Sequence, residues 1–156
     1  MEFLADIFTG PVLTMLGAAL AIALPCLGSA KGVGMVAESA SGLLAEDPNK
    51  FGKSFLLVAL PSSQAIYGFV TAALIFFLKF SMDLSVMQGA YYLMASLPIA
   101  LAGYGSAVKQ GRVAASGIGL IAKRPDQSGK AILNAAMVET FAIFALLVSL
   151  LMVVMN

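Results

Sequence analysis

Four apolar segments, roughly 11–45, 51–79, 88–122 and 128–155, are each long enough to cross a bilayer, because about 20 apolar residues span the hydrocarbon core as a helix. Lipid offers no partner to backbone N–H and C=O groups, so open sheets do not cross it, and continuous runs of this length fit helices. The expectation is an all-α membrane protein of four transmembrane helices. The segments end for ordinary reasons. Pro48 and Asn49 break the first connection, Pro125 and Asp126 the third, and the second, Lys79 to Ser85, is short and polar. Charged residues make up 11% of the chain, against about 25% in soluble domains. That share is too small to cover a water-soluble fold of this size.

Several kinds of chemistry are excluded at once. The net charge of +1 gives no basic patch and no expectation of a nucleic-acid partner. The chain has no His and no Trp, and Cys26 is its one cysteine. Disulfide frameworks, His/Cys metal sites and Ser–His or Cys–His catalysis are therefore absent. Cys26 sits in an apolar run and is expected to be a buried small residue. The N-terminus carries Glu2 and Asp6 rather than a basic region. It does not read as a signal peptide, and the first apolar segment is expected to be retained.

Lys50, Lys53, Lys123, Arg124 and Lys130 surround the two Pro-containing turns, whereas the opposite side holds only Lys79. The positive-inside rule then places both turns in the cytoplasm of a cell-membrane protein and both termini outside.

The chain also repeats itself. Aligning Pro48 with Pro125 gives an offset of 125 − 48 = 77. In that register Gly28-Ser29-Ala30 falls on Gly105-Ser106-Ala107, Gly34 on Gly111, Gly42-Leu43 on Gly119-Leu120, and Gly52-Lys53 on Gly129-Lys130. The organisation expected is two tandem helical hairpins of the same topology, 1–80 and 81–156. A parallel repeat of this kind differs from the inverted repeats of many secondary transporters. The first and third segments hold most of the glycines, which let helix backbones approach closely in lipid; Gly28 and Gly32 make one small-xxx-small step. The second and fourth are richer in Leu, Ile, Phe, Val and Met, which suits lipid contact. Copies arranged in a closed ring with the small-residue helices inside have this pattern; a compact four-helix bundle is the plainer alternative.

Glu139 lies within the last apolar segment. A charge at the centre of a membrane helix costs about 2.5–3.5 kcal/mol or more, so a proton, an ion or a partner must neutralise it. At the same register in the first hairpin stands Ser62, so only one hairpin carries a carboxylate. Glu139 lies 14 residues past Pro125, Gln110 15 before it, and Gln64 16 past Pro48. With a rise of 1.5 Å per residue, all three stand about 21–24 Å from the cytoplasmic turns. A Glu, two Gln and the hydroxyls of Ser63 and Thr140 can converge at that level. Carboxylate, amide and hydroxyl oxygens are hard ligands suited to a small hard cation. Pro61 perturbs its helix and can free backbone carbonyls as further ligands. The alternatives are an ion pair of Glu139 with Lys31 or Lys109, which count to similar depths, and Gln64 and Gln110 as interhelical hydrogen-bond glue. Gly32-Val33-Gly34-Met35-Val36-Ala37 fits a dinucleotide fingerprint, but no strand precedes it and its glycines read as helix packing.

Four stretches carry a family resemblance: Gly28 to Gly34, Leu60-Pro-Ser-Ser-Gln-Ala-Ile-Tyr-Gly68, Gln110 to Ala115, and Met137-Val-Glu-Thr140. Over essentially the whole chain they resemble the proteolipid rotor subunits of bacterial V-type (A/V-type) sodium-transporting ATPases. The resemblance implies a homo-oligomeric ring turned in the membrane by a central stalk, with a stator subunit that supplies an Arg. It implies Na+ binding by Glu139, Gln64, Gln110, the Ser63 hydroxyl and the Leu60 carbonyl, with Tyr67 closing the site; Ser63 stands where the best-known sodium members have Thr. The chain itself is expected to hydrolyse nothing, since it holds no phosphate-binding loop. Two extra Gln and a hydroxyl exceed what a proton carrier needs, which favours Na+ over H+ as the coupling ion. A small proton-coupled secondary transporter and a structural pore are the readings from other classes.

Overall fold

The computed structural model describes residues 8–155; Glu2 and Asp6, and the reading of the N-terminus made from them, lie outside the described residues. Among the described residues every regular element is helical: α1 (Gly10–Glu46), α2 (Phe51–Ala59), α3 (Ser63–Leu74), α4 (Val86–Lys123) and α5 (Ser128–Val154). A 3-10 turn, Leu60–Ser62, joins α2 to α3, and a π turn, Ile75–Lys79, ends α3. Together these form four spans long and apolar enough to cross a membrane, Gly10–Glu46, Pro48–Lys79, Val86–Lys123 and Pro125–Val154.

The boundaries follow local chemistry. The Ser85 side chain accepts from the Gln88 amide while Gln88 reaches back to Ser85, a capping box that starts α4. Pro48 and Pro125 open short 3-10 turns, where a missing N–H costs nothing. Inside the second span Pro61 has no N–H to donate, and the chain tightens locally to 3-10 geometry.

α1 lies along α4, and α4 along α5. Glycine permits the first of these approaches. A Cβ added at Gly28 would stand 2.7 Å from the Tyr104 carbonyl oxygen, and one at Gly32 2.6 Å from that of Ala107. The small-xxx-small step is therefore a backbone-to-backbone contact. Pro25 is buried, and its ring fits between Gly68 and Gly103 of neighbouring spans, whose Cβ atoms would come within 3.0 and 2.9 Å of it. The two Pro-containing turns share one end of the bundle. Lys50 donates to the Ala122 carbonyl at 3.0 Å and Lys53 to that of Pro125 at 3.1 Å. Both ammonium groups sit at the C-terminal end of α4, where the helix dipole favours cations.

Large apolar side chains of the second and fourth spans point outward, among them Phe55, Ile66, Phe69, Phe141 and Phe144. In lipid this costs nothing. Cys26 corrects its sequence expectation: it is exposed. An apolar run in a membrane helix need not be buried in its own chain, because hydropathy is satisfied equally by lipid or by another helix.

Two apolar clusters bracket the middle of the bundle. Val36, Leu57, Ile118, Ile121 and Ala135 form the one toward the Pro-containing turns, and Ile75, Tyr92, Ala95 and Val153 the other. Between them lies a layer of polar side chains.

Candidate ion-binding site

The polar layer is assembled from α3, α4 and α5 within one chain. Gln64, at the start of α3, and Gln110, on α4, are wholly buried. The Gln64 amide donates to Gln110 Oε1 at 2.7 Å and to Ser106 Oγ at 3.3 Å. The Gln110 amide donates to Glu139 Oε2 at 3.3 Å and to the Ala135 carbonyl at 3.2 Å. Tyr67 OH donates to Glu139 Oε1 at 2.5 Å. The two Gln, which glue alone would explain, are thus tied into one network with the carboxylate.

The 3-10 turn brings two further oxygens to this level. Ser63 Oγ donates to the Leu60 carbonyl at 3.1 Å and lies 3.4 Å from Gln64 Oε1. The Leu60 carbonyl, a ligand that the resemblance implies, is not free within the chain. It accepts from both the Ser63 N–H and the Ser63 hydroxyl, because the 3-10 geometry redirects bonds that an α-helix would make one residue further on. The hydroxyl bond breaks by a rotation about one side-chain torsion, which uncovers a lone pair of the Leu60 oxygen without moving the backbone.

Thr140 does not join this network. Its hydroxyl donates to the Met137 carbonyl of its own helix at 2.8 Å. Neither lysine pairs with Glu139. Lys31 donates to Tyr104 OH at 3.0 Å with its ammonium 5.3 Å from the ring centroid, and Lys109 is exposed. Glu38 is exposed as well.

Ser106 is the site residue that sequence reasoning misses. It accepts from Gln64 and donates to the Val138 carbonyl at 2.9 Å, linking three spans. A signal exists: Ser106 lies one turn before Gln110 on the same helix face, and its counterpart in the repeat is Ser29. Ser29 Oγ accepts the Ala65 amide at 3.2 Å, next to the break at Pro61.

Glu139 is thus a half-buried carboxylate with two hydrogen-bond donors and, among the described residues, no cationic side chain paired with it. Among the described residues no three His, Cys, Asp or Glu side chains come together to hold a metal ion. With a single negative charge, the layer needs one positive charge to balance it, as a monovalent cation or a proton would supply. A divalent ion would leave an uncompensated positive charge between two apolar clusters.

The model of the family described as the ATP synthase C subunit matches this chain twice, over residues 16–75 and 93–152. The two matches start 93 − 16 = 77 residues apart, the offset of the internal repeat. The chain is 46% identical over 153 residues to the K subunit of the V-type sodium ATPase of Enterococcus hirae, covering 98% of this chain and 97% of that one. It is 39% identical over 143 residues to the K subunit of the A-type ATP synthase of Methanocaldococcus jannaschii, covering 92% of this chain and 62% of that one.

Proposed function

The chain belongs to the family of ATP synthase C subunits, and from that premise we propose that copies of it form a membrane rotor ring that carries Na+, bound at Glu139, across the bilayer. It is a multi-pass membrane protein and hydrolyses nothing itself; soluble partners drive the ring through a central stalk. The observation that carries the reading is Glu139, set within a membrane span with donors from Tyr67 and Gln110 and, among the described residues, no basic side chain paired with it.

In this reading the ion is the neutralising partner. Glu139 supplies the charge, and Gln64, Gln110, the Ser63 hydroxyl and the Leu60 carbonyl supply neutral oxygens, while Tyr67 holds the carboxylate in place. Thr140 is left with a helix-internal bond and no ligand role. A neutral site crosses the lipid-facing arc of a rotation at little cost, whereas an ionised one does not. At a stator subunit an Arg competes for the carboxylate and releases the ion into an exit path. The two halves of the chain, 1–80 and 81–156, act as one unit because only the second carries the carboxylate. Both Pro-containing turns face the cytoplasm, toward the driving subunits, and the termini face outward.

Sodium is favoured over the proton by the neutral oxygens gathered at the site, and by the sodium pump from which the Enterococcus hirae relative takes its name. Carbodiimide labelling of Glu139 at fixed pH, with and without NaCl, tests this. Protection by sodium is expected; labelling indifferent to sodium points to a proton-carrying ring. Glu139→Gln in the assembled complex is expected to abolish transport, and full transport by that variant refutes the site.

A further inference from the structure

The repeat relates a filled contact inside the chain to an open groove on its surface. In the second hairpin, Gly117 of α4 and Ala131 of α5 line a groove that Leu57, from α2, fills. Leu57 is wholly buried, and its Cδ1 and the Ala131 Cβ each lie 3.0 Å from where a Gly117 Cβ would stand. The first hairpin has the corresponding groove between α1 and α2. Shifted by 77, Gly117 becomes Ala40 and Ala131 becomes Ser54. Both line a groove of about 170 Å³, beside the stacked rings of Phe51 and Phe55.

Two polar groups are left over, one on each side of this relation. Ser54 is 1% exposed, and among the described residues its Oγ is the one buried side-chain polar atom with no hydrogen-bond partner. The counterpart of Leu57 is Asn134. It stands exposed in α5, and among the described residues its amide bonds nothing. With a rise of 1.5 Å per residue, Ser54 lies about 9 Å and Asn134 about 14 Å along their spans from the Pro-containing turns. A hydroxyl sealed from water and an amide held in a membrane span both need partners. Asn has the branched shape and nearly the length of Leu, so its amide oxygen and nitrogen fall where Leu57 carries its two δ-carbons.

Resting on the rotor-ring reading, we propose that Asn134 of one copy enters the α1–α2 groove of the next and hydrogen-bonds the Ser54 hydroxyl there. Within the chain the first hairpin puts Leu57 into the groove of the second. The same step taken onward puts residue 134 into the groove of the first hairpin of the following copy. The pair Leu57 and Ala131 is apolar, and its counterpart is polar on both sides at once. A lipid chain in the groove would satisfy neither group, and a water molecule would satisfy Ser54 while leaving Asn134 in lipid. The neighbouring amide satisfies both.

A double-variant cycle tests the pair in the full-length chain. Membranes are solubilised in mild detergent, and a native gel reads the temperature at which the large oligomer is lost. Ser54→Ala strands the amide and Asn134→Leu strands the hydroxyl, so each should lower that temperature by several degrees. The double variant recreates the Leu57–Ala131 pair. It should return to the wild-type temperature or above, because replacing both partners of a hydrogen bond by apolar groups of like shape is near neutral or stabilising. A double variant whose loss is the sum of the single losses, or a single variant without loss, overturns the pair. A second measurement uses Ser54→Cys and Asn134→Cys together in a Cys26→Ala background. Copper-catalysed oxidation in membranes should give a ladder beyond dimer on a denaturing gel, while either cysteine alone gives none. Monomer alone, where the native gel still shows a large oligomer, overturns the placement of Asn134 and leaves the ring reading standing. Absence of any large oligomer in the wild type overturns both.

Discussion

Replacing Gln110 by Met separates sodium carriage from carriage of a bare proton. The variant keeps length and approximate volume but removes the donor to Glu139 at 3.3 Å, the donor to Ala135 at 3.2 Å and the acceptor of the Gln64 amide at 2.7 Å. The lost ion ligand is worth about as much as a hydrogen bond to a charged group, about 1.5–3 kcal/mol, and at 1.4 kcal/mol per tenfold this weakens sodium binding roughly 10- to 150-fold. The assay is the NaCl concentration that half-protects Glu139 from carbodiimide in membranes at fixed pH. Labelling in sodium-free buffer serves as the control, since the carboxylate and its Tyr67 donor remain. Gln64 keeps its bond to Ser106, so the variant chain stays folded, as its native oligomer should report. Half-protection within twofold of wild type, on a folded and labelled variant, refutes the assignment of Gln110 as a ligand.

Tyr67→Phe removes the other donor to Glu139, and a roughly threefold to tenfold rise in half-protecting NaCl is expected, because only part of a charged hydrogen bond worth about 1.5–3 kcal/mol differs between filled and empty states. Ser106→Ala loses the links to Gln64 and Val138; a several-fold weaker sodium protection is expected, since the Gln64 amide nitrogen is then held by Gln110 alone. Thr140→Val should leave protection within twofold, because its hydroxyl bonds Met137 of its own helix; a large loss would place that hydroxyl in the site after all. Gly32→Val drives side-chain atoms into the Ala107 backbone, 2.6 Å from the first added carbon, and overpacking of this kind costs about 1–3 kcal/mol, read as a lower unfolding temperature in detergent.

The spans and their ends are legible in the sequence because hydropathy and proline act locally. The convergence of Gln64, Gln110 and Glu139 is legible because a helix is a ruler, and residue counts from the two turns give depth directly. Which way each side chain turns is not. Thr140 sits beside Glu139 in sequence, yet bonds backwards to its own helix, a choice between two acceptors that spacing does not decide. Ser106 escapes notice because a serine in a glycine-rich helix reads as a packing residue. Cys26 reads as an interior residue because hydropathy does not distinguish a chain's own core from lipid or a neighbouring copy.

Ser62, whose hydroxyl bonds the Ala59 carbonyl at 2.6 Å, stands where a second carboxylate would double the cargo of each chain. In the proposed rotor ring, with Glu139 as the one ion-carrying carboxylate of each chain, its presence would set the gearing. With one ion per four helices rather than one per two, a revolution moves half as many charges, and a fixed input of torque divides among fewer of them. Since each charge climbs about 2.3 kcal/mol for every 100 mV, halving the load doubles the voltage against which the ring still turns. A duplicated hairpin with a single carboxylate is a low gear: slow in ions per revolution, and able to push uphill.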